Sequence, residues 1–148
     1  MIRNLFVGLA ASAALLVAGA SLASSGPGYT SKEVKIGQAA VYSGPASAYS
    51  YVGRMFRAYF DEVNERGGIN GRKVTALSID DAYSPPKTVE VTRRLVEQDE
   101  VVGVFAGTGT PTSAAVQRYL NSKKVPQFFV TVGGEQFFDP INSPWTIS

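Results

Sequence analysis

The 148-residue chain contains no cysteine and no histidine. Without cysteine no disulfide can form, so stability has to come from packing. The same absence excludes a lipid anchor attached to a cysteine at a leader cleavage site. Together the two absences exclude Cys–His and Ser–His nucleophilic catalysis and most zinc chemistry. Charge is also sparse, at 18% of residues, with 14 Lys+Arg against 12 Asp+Glu. No block of one sign appears, so there is no electrostatic case for nucleic acid or for a membrane surface as partner.

What is present begins with a leader. Met1 to Ala23 reads MIRNLFVGLAASAALLVAGASLA. Arg3 supplies a positive start, Leu5 to Ala20 is uncharged and apolar, and Ser21-Leu22-Ala23 sets small residues where a signal peptidase cleaves. These features predict a secretory signal peptide over residues 1–23. The apolar run is shorter than the ~20 residues that span a bilayer. Removing the leader leaves 125 residues with 13 basic and 12 acidic groups, since only Arg3 lies in it. That length fits one small domain. The expected location is the periplasm of a Gram-negative cell, without a lipid anchor.

Residues 24–32 form a polar, Gly- and Pro-containing lead-in, expected to be mobile. Alternation and apolar runs then predict strands over 33–42, 73–80, 101–106 and 127–132, with a fifth starting at Trp145. Between them lie three helical patterns. In the first, over 48–66, Val52, Phe56, Tyr59, Phe60 and Val63 form the apolar stripe, and Gly67-Gly68 ends it. In the second, from Ser84 to about Gln98, the stripe is Val89, Thr92, Leu95 and Val96, with prolines in the first turn. In the third, from Thr110 to about Ser122, Ala115, Val116, Tyr119 and Leu120 face inward. Strand and helix alternate, and 101–106 (VVGVFA) is continuously apolar, as in a strand covered on both faces. The expected fold is α/β, a parallel sheet with helices on both faces. Ser148 falls inside an apolar segment, which leads to the expectation that residues 33–148 are part of a longer protein.

In open α/β sheets ligands bind beyond the carboxyl ends of the strands, beside helix N-termini. Three loops qualify: Ser43 to Tyr49, Gly107 to Ser113, and Thr131 to Gly134. All are rich in small and hydroxyl residues, and none carries a charge. In the second, Thr110 reads as an N-cap, Pro111 suits the first turn, and Thr112 and Ser113 add hydroxyls. Its glycines allow close approach to the backbone, and a helix N-terminus favours an anion such as a carboxylate. Nucleotide signatures are absent, because no lysine stands where a P-loop requires one and Thr112 replaces the third glycine of a dinucleotide fingerprint. Asp80-Asp81 reads as a turn and capping pair rather than an acid–base pair. Tyr49 is placed either to stack on a ligand or to pack. No catalytic residue, metal or cofactor is expected.

The stretches EVKIGQAAVYSGPASAY, FDEVNERGGINGRKV, DDAYSPPKTVEVTRRLV and VFAGTGTPTSAAVQRYLNSKKVPQFF, in this order, resemble the leucine-binding type of periplasmic solute-binding protein. Asn64 to Arg72 (NERGGINGR) is the most specific part, followed by Ser43-Gly44-Pro45. The resemblance implies two α/β lobes joined by a hinge, with ligand in the cleft between them. Residues 33–148 would then be the N-terminal lobe, with the second lobe absent. It also implies a small-molecule ligand, delivered to the membrane permease subunits of an ABC importer. Carried over by position, the carboxylate contacts fall on Gly109, Thr110, Thr112, Thr131 and Gly133, and Tyr49 matches an aromatic lining the cleft. Two departures are visible, at Gly109-Thr110-Pro111 and Thr131-Val132-Gly133, where amino-acid binders often carry Ser and Ala-Ala-Thr. The resemblance thus leaves a hydrophobic amino acid and an amino-free aromatic or other organic acid both open. An external sensing domain of a membrane receptor would share this lobe.

Overall fold

The computed structural model describes residues 25–148, so the expected signal peptide lies outside the described residues. Two strands, β1 (Glu33–Ala40) and β2 (Lys73–Asp80), pair in parallel over eight positions, from Glu33↔Lys73 to Ala40↔Asp80. Three further strands, β3 (Val104–Phe105), β4 (Gln127–Phe128) and β5 (Thr146–Ile147), have two residues each. The sheet order is β2-β1-β3-β4-β5, and every pairing is parallel. The helices are α1 (Ser50–Glu65), α2 (Pro85–Glu97) and α3 (Thr110–Lys123).

Side-chain alternation along the strands explains the layering. Successive strand residues point to opposite faces. Ile36 of β1 and Val74 of β2 bury against Phe56 of α1, with Phe60, Val63, Ala76 and Phe105 at the margin. Ala39 of β1 and Val104 of β3 bury on the other side against Val91 and Leu95 of α2 and Val116 and Leu120 of α3. One helix therefore covers one face and two helices cover the other, which is the expected α/β arrangement. Leu95 and Leu120 are fully buried, each contributing about 1.5–3 kcal/mol of transfer free energy.

The structure changes several details of the sequence reading. Tyr59, expected inward, is 59% exposed, its ring 5.1 Å from that of Phe60 and nearly perpendicular to it. Ala115 is exposed, and the inner face of α3 is Thr112, Ser113, Val116 and Leu120. On α2, Thr88 and Val91 are buried while Val89 is only half-buried. Strands β3 and β4 are much shorter than their apolar runs. Ala106 (φ 47°) and Phe129 (φ 52°) take left-handed backbone at their carboxyl ends, which breaks an extended chain. In the lead-in, Thr30 N–H donates to Glu33 O at 2.8 Å, and Lys35 N–H donates to Gly28 O at 2.7 Å.

Asn64 at the end of α1 performs a strand's role at the edge of β2. Its amide donates to Val74 O at 2.8 Å and accepts from Val74 N–H at 2.7 Å. The chain returns from α1 to β2 through Gly67, Gly68, Asn70 and Gly71, all with positive φ. The most recognisable sequence stretch is thus a turn and an edge clamp. Among the described residues, no helix is long and apolar enough to cross a membrane.

Candidate functional site

The three loops at the carboxyl ends of the strands converge. They enclose an open cleft of about 340 Å³ lined by Tyr49, Tyr83, Thr108, Gly109, Thr110, Thr131, Val132 and Gly133. Five of the six residues singled out from the sequence are among these: Tyr49, Gly109, Thr110, Thr131 and Gly133.

After the left-handed turns at Ala106 and Phe129, the second and third loops pair again. Thr108 bridges Thr131 in parallel. Gly109 N–H donates to Thr131 O at 3.0 Å, and Thr131 N–H donates to Gly107 O at 2.9 Å. Gly133 N–H donates to Thr110 Oγ1 at 3.3 Å. The Thr110 oxygen is thereby used as an acceptor, which leaves its own O–H proton available as a donor. At the start of α3 the first N–H to bond back within the helix is that of Ser113, to Gly109 O at 3.1 Å. The N–H of Thr110 therefore belongs to the free donors of a helix N-terminus, while Pro111 has none.

Thr112 departs from the expectation. It is 1% exposed and does not line the cleft. Its one hydroxyl proton is shared between Thr108 O at 2.5 Å and Gly109 O at 2.9 Å. The Thr112 side chain thus fastens the second loop to the helix from behind instead of facing a ligand. The N-cap is also shifted by one residue: Gly109 (φ 93°) occupies it, Thr110 follows, and no side chain caps the helix.

Tyr83 lines the cleft and was not singled out from the sequence. A Cβ at Gly109 would overlap the Tyr83 ring, so position 109 requires glycine both for its φ and for this contact. Tyr83 (φ 58°) and Ala82 (φ 52°) are consecutive left-handed residues, each a strained conformation for a side-chain-bearing residue. The two aspartates hold them there. Ala82 N–H donates to Asp80 Oδ1 at 3.0 Å and Tyr83 N–H donates to Asp81 Oδ1 at 2.9 Å. The available signal was the pair of Asx residues before an aromatic and two prolines, a turn that aims a ring.

Asp80 also gathers the first loop. Its carboxylate accepts from Tyr42 N–H at 2.9 Å, from Ser43 N–H at 3.1 Å and from the Ser43 hydroxyl at 2.6 Å, and faces Lys87 Nζ at 3.4 Å. Burial opposes its charge, but the Ser43 hydroxyl and the N–H groups of Tyr42, Ala82 and Ser43 outweigh burial and hold it well below the usual carboxylate range. Asp81 is buried and accepts from the Thr88 hydroxyl at 2.8 Å. The pair therefore builds the turn and spans two loops. Tyr49 is 50% exposed at the rim, its ring 6.3 Å from that of Tyr51.

No lining residue carries a charge, so the cleft offers a ligand neutral backbone groups, hydroxyls and aromatic faces. Among the described residues, no group of three or more Asp or Glu side chains gathers to hold a metal ion.

A parallel sheet with polar loops gathered at its carboxyl edge, beside a helix N-terminus, is the arrangement of an α/β ligand-binding lobe. The chain belongs to the periplasmic binding protein family, whose profile matches residues 33–148. It is similar to the "Leu/Ile/Val-binding protein homolog 7" of Brucella suis, 26% identical over 132 residues, covering 88% of this chain and 31% of that protein. In fold it resembles the branched-chain amino acid transporter substrate binding protein LivJ from Streptococcus pneumoniae in complex with isoleucine. That likeness has a TM-score of 0.68 at 24% identity and covers 78% of this chain and 33% of the other. It likewise resembles a solute binding protein of an ABC transporter from Rhodopseudomonas palustris in complex with 3,4-dihydroxy benzoic acid, with a TM-score of 0.66 at 20% identity over 78% of this chain and 31% of the other. The chain spans about a third of the length of these relatives.

Proposed function

We propose that the protein is the extracytoplasmic solute-binding subunit of an ABC importer, and that residues 33–148 supply one wall of its ligand cleft. The observation that carries this reading is the uncharged cleft at a helix N-terminus, where Thr110 and Thr131 stand beside Gly109 and two tyrosines join the lining. A carboxylate fits such a rim, because the Thr110 N–H at the helix N-terminus and a hydroxyl already fixed by Gly133 can donate to it without reorganisation. A second lobe would complete the cleft. Ligand bridging both lobes would favour the closed form, and permease subunits would recognise that form. The role asks for binding and release, without catalysis, and matches the expected export by the 1–23 leader. It requires no cofactor.

Two ligand classes fit. A hydrophobic amino acid of the leucine type is favoured by the Brucella relative and by the isoleucine bound in the Streptococcus structure. An amino-free aromatic acid is favoured by a different observation: two tyrosines and no carboxylate line this wall, so no opposite charge here pairs with an ammonium group. Calorimetric titration of the intact protein with L-leucine, L-isoleucine and 3,4-dihydroxybenzoate separates them. Micromolar or tighter binding of either class supports the importer reading. Failure of all three, together with a screen of other small carboxylates, would remove it.

A further inference from the structure

Behind the cleft lies a second, much smaller space, between the sheet and helices α2 and α3. Thr108 lines both spaces, so this one sits directly behind the loop that carries Gly109 and Thr110. Its walls include Asp81, Thr88, Thr92, Gly107, Ser113 and Gln127. Room for the centre of a water-sized sphere amounts to about 10 Å³, which is close to what one water molecule needs and too little for two.

The polar groups around it are unevenly satisfied. Asp81 is bonded to Tyr83 N–H and the Thr88 hydroxyl, and Gln127 donates to Ser113 O at 3.3 Å. Thr92 Oγ1 and Ser113 Oγ are different. Thr92 is 0% exposed and Ser113 is 2% exposed, and neither hydroxyl has a hydrogen-bond partner in the protein. A buried hydroxyl left unpaired costs about 1–3 kcal/mol, and folded proteins rarely leave one so. Here the two residues that carry such hydroxyls, Thr92 of α2 and Ser113 of α3, line the same one-water space.

We infer that this space is a binding site for a single structural water, which bridges the hydroxyls of Thr92 and Ser113. The carboxylate of Asp81 keeps lone pairs free after its two known bonds and supplies a third partner, giving the water the two to four contacts a buried water requires. The water joins α2 to α3 immediately behind the ligand loop. It adds to the fastening that Thr112 provides and helps fix the position of Gly109 and Thr110. This inference stands on the geometry alone and does not depend on which acid the cleft takes.

Thermal unfolding of the intact protein with Thr92→Val, Ser113→Ala and the double variant tests it, because the sign of the effect differs between a wet and a dry site. With a bridging water, each single variant lowers Tm, by about 2–4 °C for a cost near 1 kcal/mol. The double variant then falls by clearly less than the sum of the two, since the same water is lost once. With a dry space, Thr92→Val removes an unsatisfied hydroxyl, so Tm stays or rises and the two changes add; that result overturns the proposal. Should a variant not fold, a crystal structure of the wild-type protein at a resolution that shows ordered water decides independently. A water within hydrogen-bond distance of both hydroxyls supports the site. An empty space, or either hydroxyl turned onto a backbone carbonyl, overturns it.

Discussion

The two halves of the sheet are built by different means. On one side β1 and β2 pair over eight positions, α1 packs across them, and Asn64 clamps the free edge of β2. On the other, β3, β4 and β5 pair over two positions each, and the chain leaves the ladder early through left-handed residues at Ala106 and Phe129. The backbone released by those short strands becomes the two loops that form most of the cleft. Regular pairing gives the first half its stability, while the second gives up ladder for a rim of glycines and hydroxyls joined by a few specific bonds. Loops on a rigid scaffold are where binding residues concentrate, and this lobe shows how one sheet supplies both.

That contrast can be broken from the cleft side first. Gly109→Ala would place a methyl group into the Tyr83 ring at a position with φ 93°. The expected result is a loss of ligand affinity of about 100-fold in titration calorimetry, equivalent to about 2.7 kcal/mol, with a loss of stability of about 1–3 kcal/mol from the backbone strain.

Asp80 tests the seam where the first loop meets the turn before Tyr83. Asp80→Ala removes the acceptor of three N–H groups and the Ser43 hydroxyl. Hydrogen bonds to a charged group contribute about 1.5–3 kcal/mol each but are not additive, so a net loss of about 2–4 kcal/mol in urea unfolding is expected. Acid should reproduce part of it. The carboxyl is depressed in the folded protein, so its contribution is complete above the ordinary aspartate value near ~4. It declines as pH falls below that value towards the folded one. Unfolding free energy measured from pH 6 downward should therefore be flat with respect to Asp80 until about pH 4, then decline, and Asp80→Ala should remove that part of the slope.

Asn64→Ala probes the well-paired half and has the smallest expected effect. It frees the N–H and C=O of Val74 at a sheet edge, with an expected cost of about 1–2 kcal/mol in the same unfolding experiment. Ligand affinity should not change. A large change in affinity would mean that the two halves are not separable in the way described.

The same contrast explains how much was legible in the sequence. Strand β2 falls on Lys73–Asp80 in both readings, and all three helices lie within a few residues of their expected spans, because long periodic segments state their own pattern. The cleft half was legible in composition but less so in geometry. Nothing in VVGVFA or QFFVTV announces that Ala106 and Phe129 turn left-handed. The hydroxyl of Thr112 looked like its neighbour's, yet helix rotation sends Thr110 to the cleft and Thr112 to the interior. Tyr83 was hidden because its placement depends on the carboxylates of Asp80 and Asp81 acting on the backbone of the next residues. The three loops were legible as a group because loops at the carboxyl ends of neighbouring parallel strands come together, and the resemblance to the solute-binding family singled out Tyr49, Gly109, Thr110, Thr131 and Gly133 within them.

The central claim is that the rim around Thr110 holds the ligand's carboxylate. Once the titrations above have identified a bound acid, the decisive measurement is its calorimetric titration into the intact Thr110→Ala protein. Loss of one hydrogen bond to a charged group predicts affinity weakened by about 1.5–3 kcal/mol, roughly 10- to 150-fold, with the unfolding midpoint little changed. Wild-type affinity in a folded Thr110→Ala protein would contradict the account.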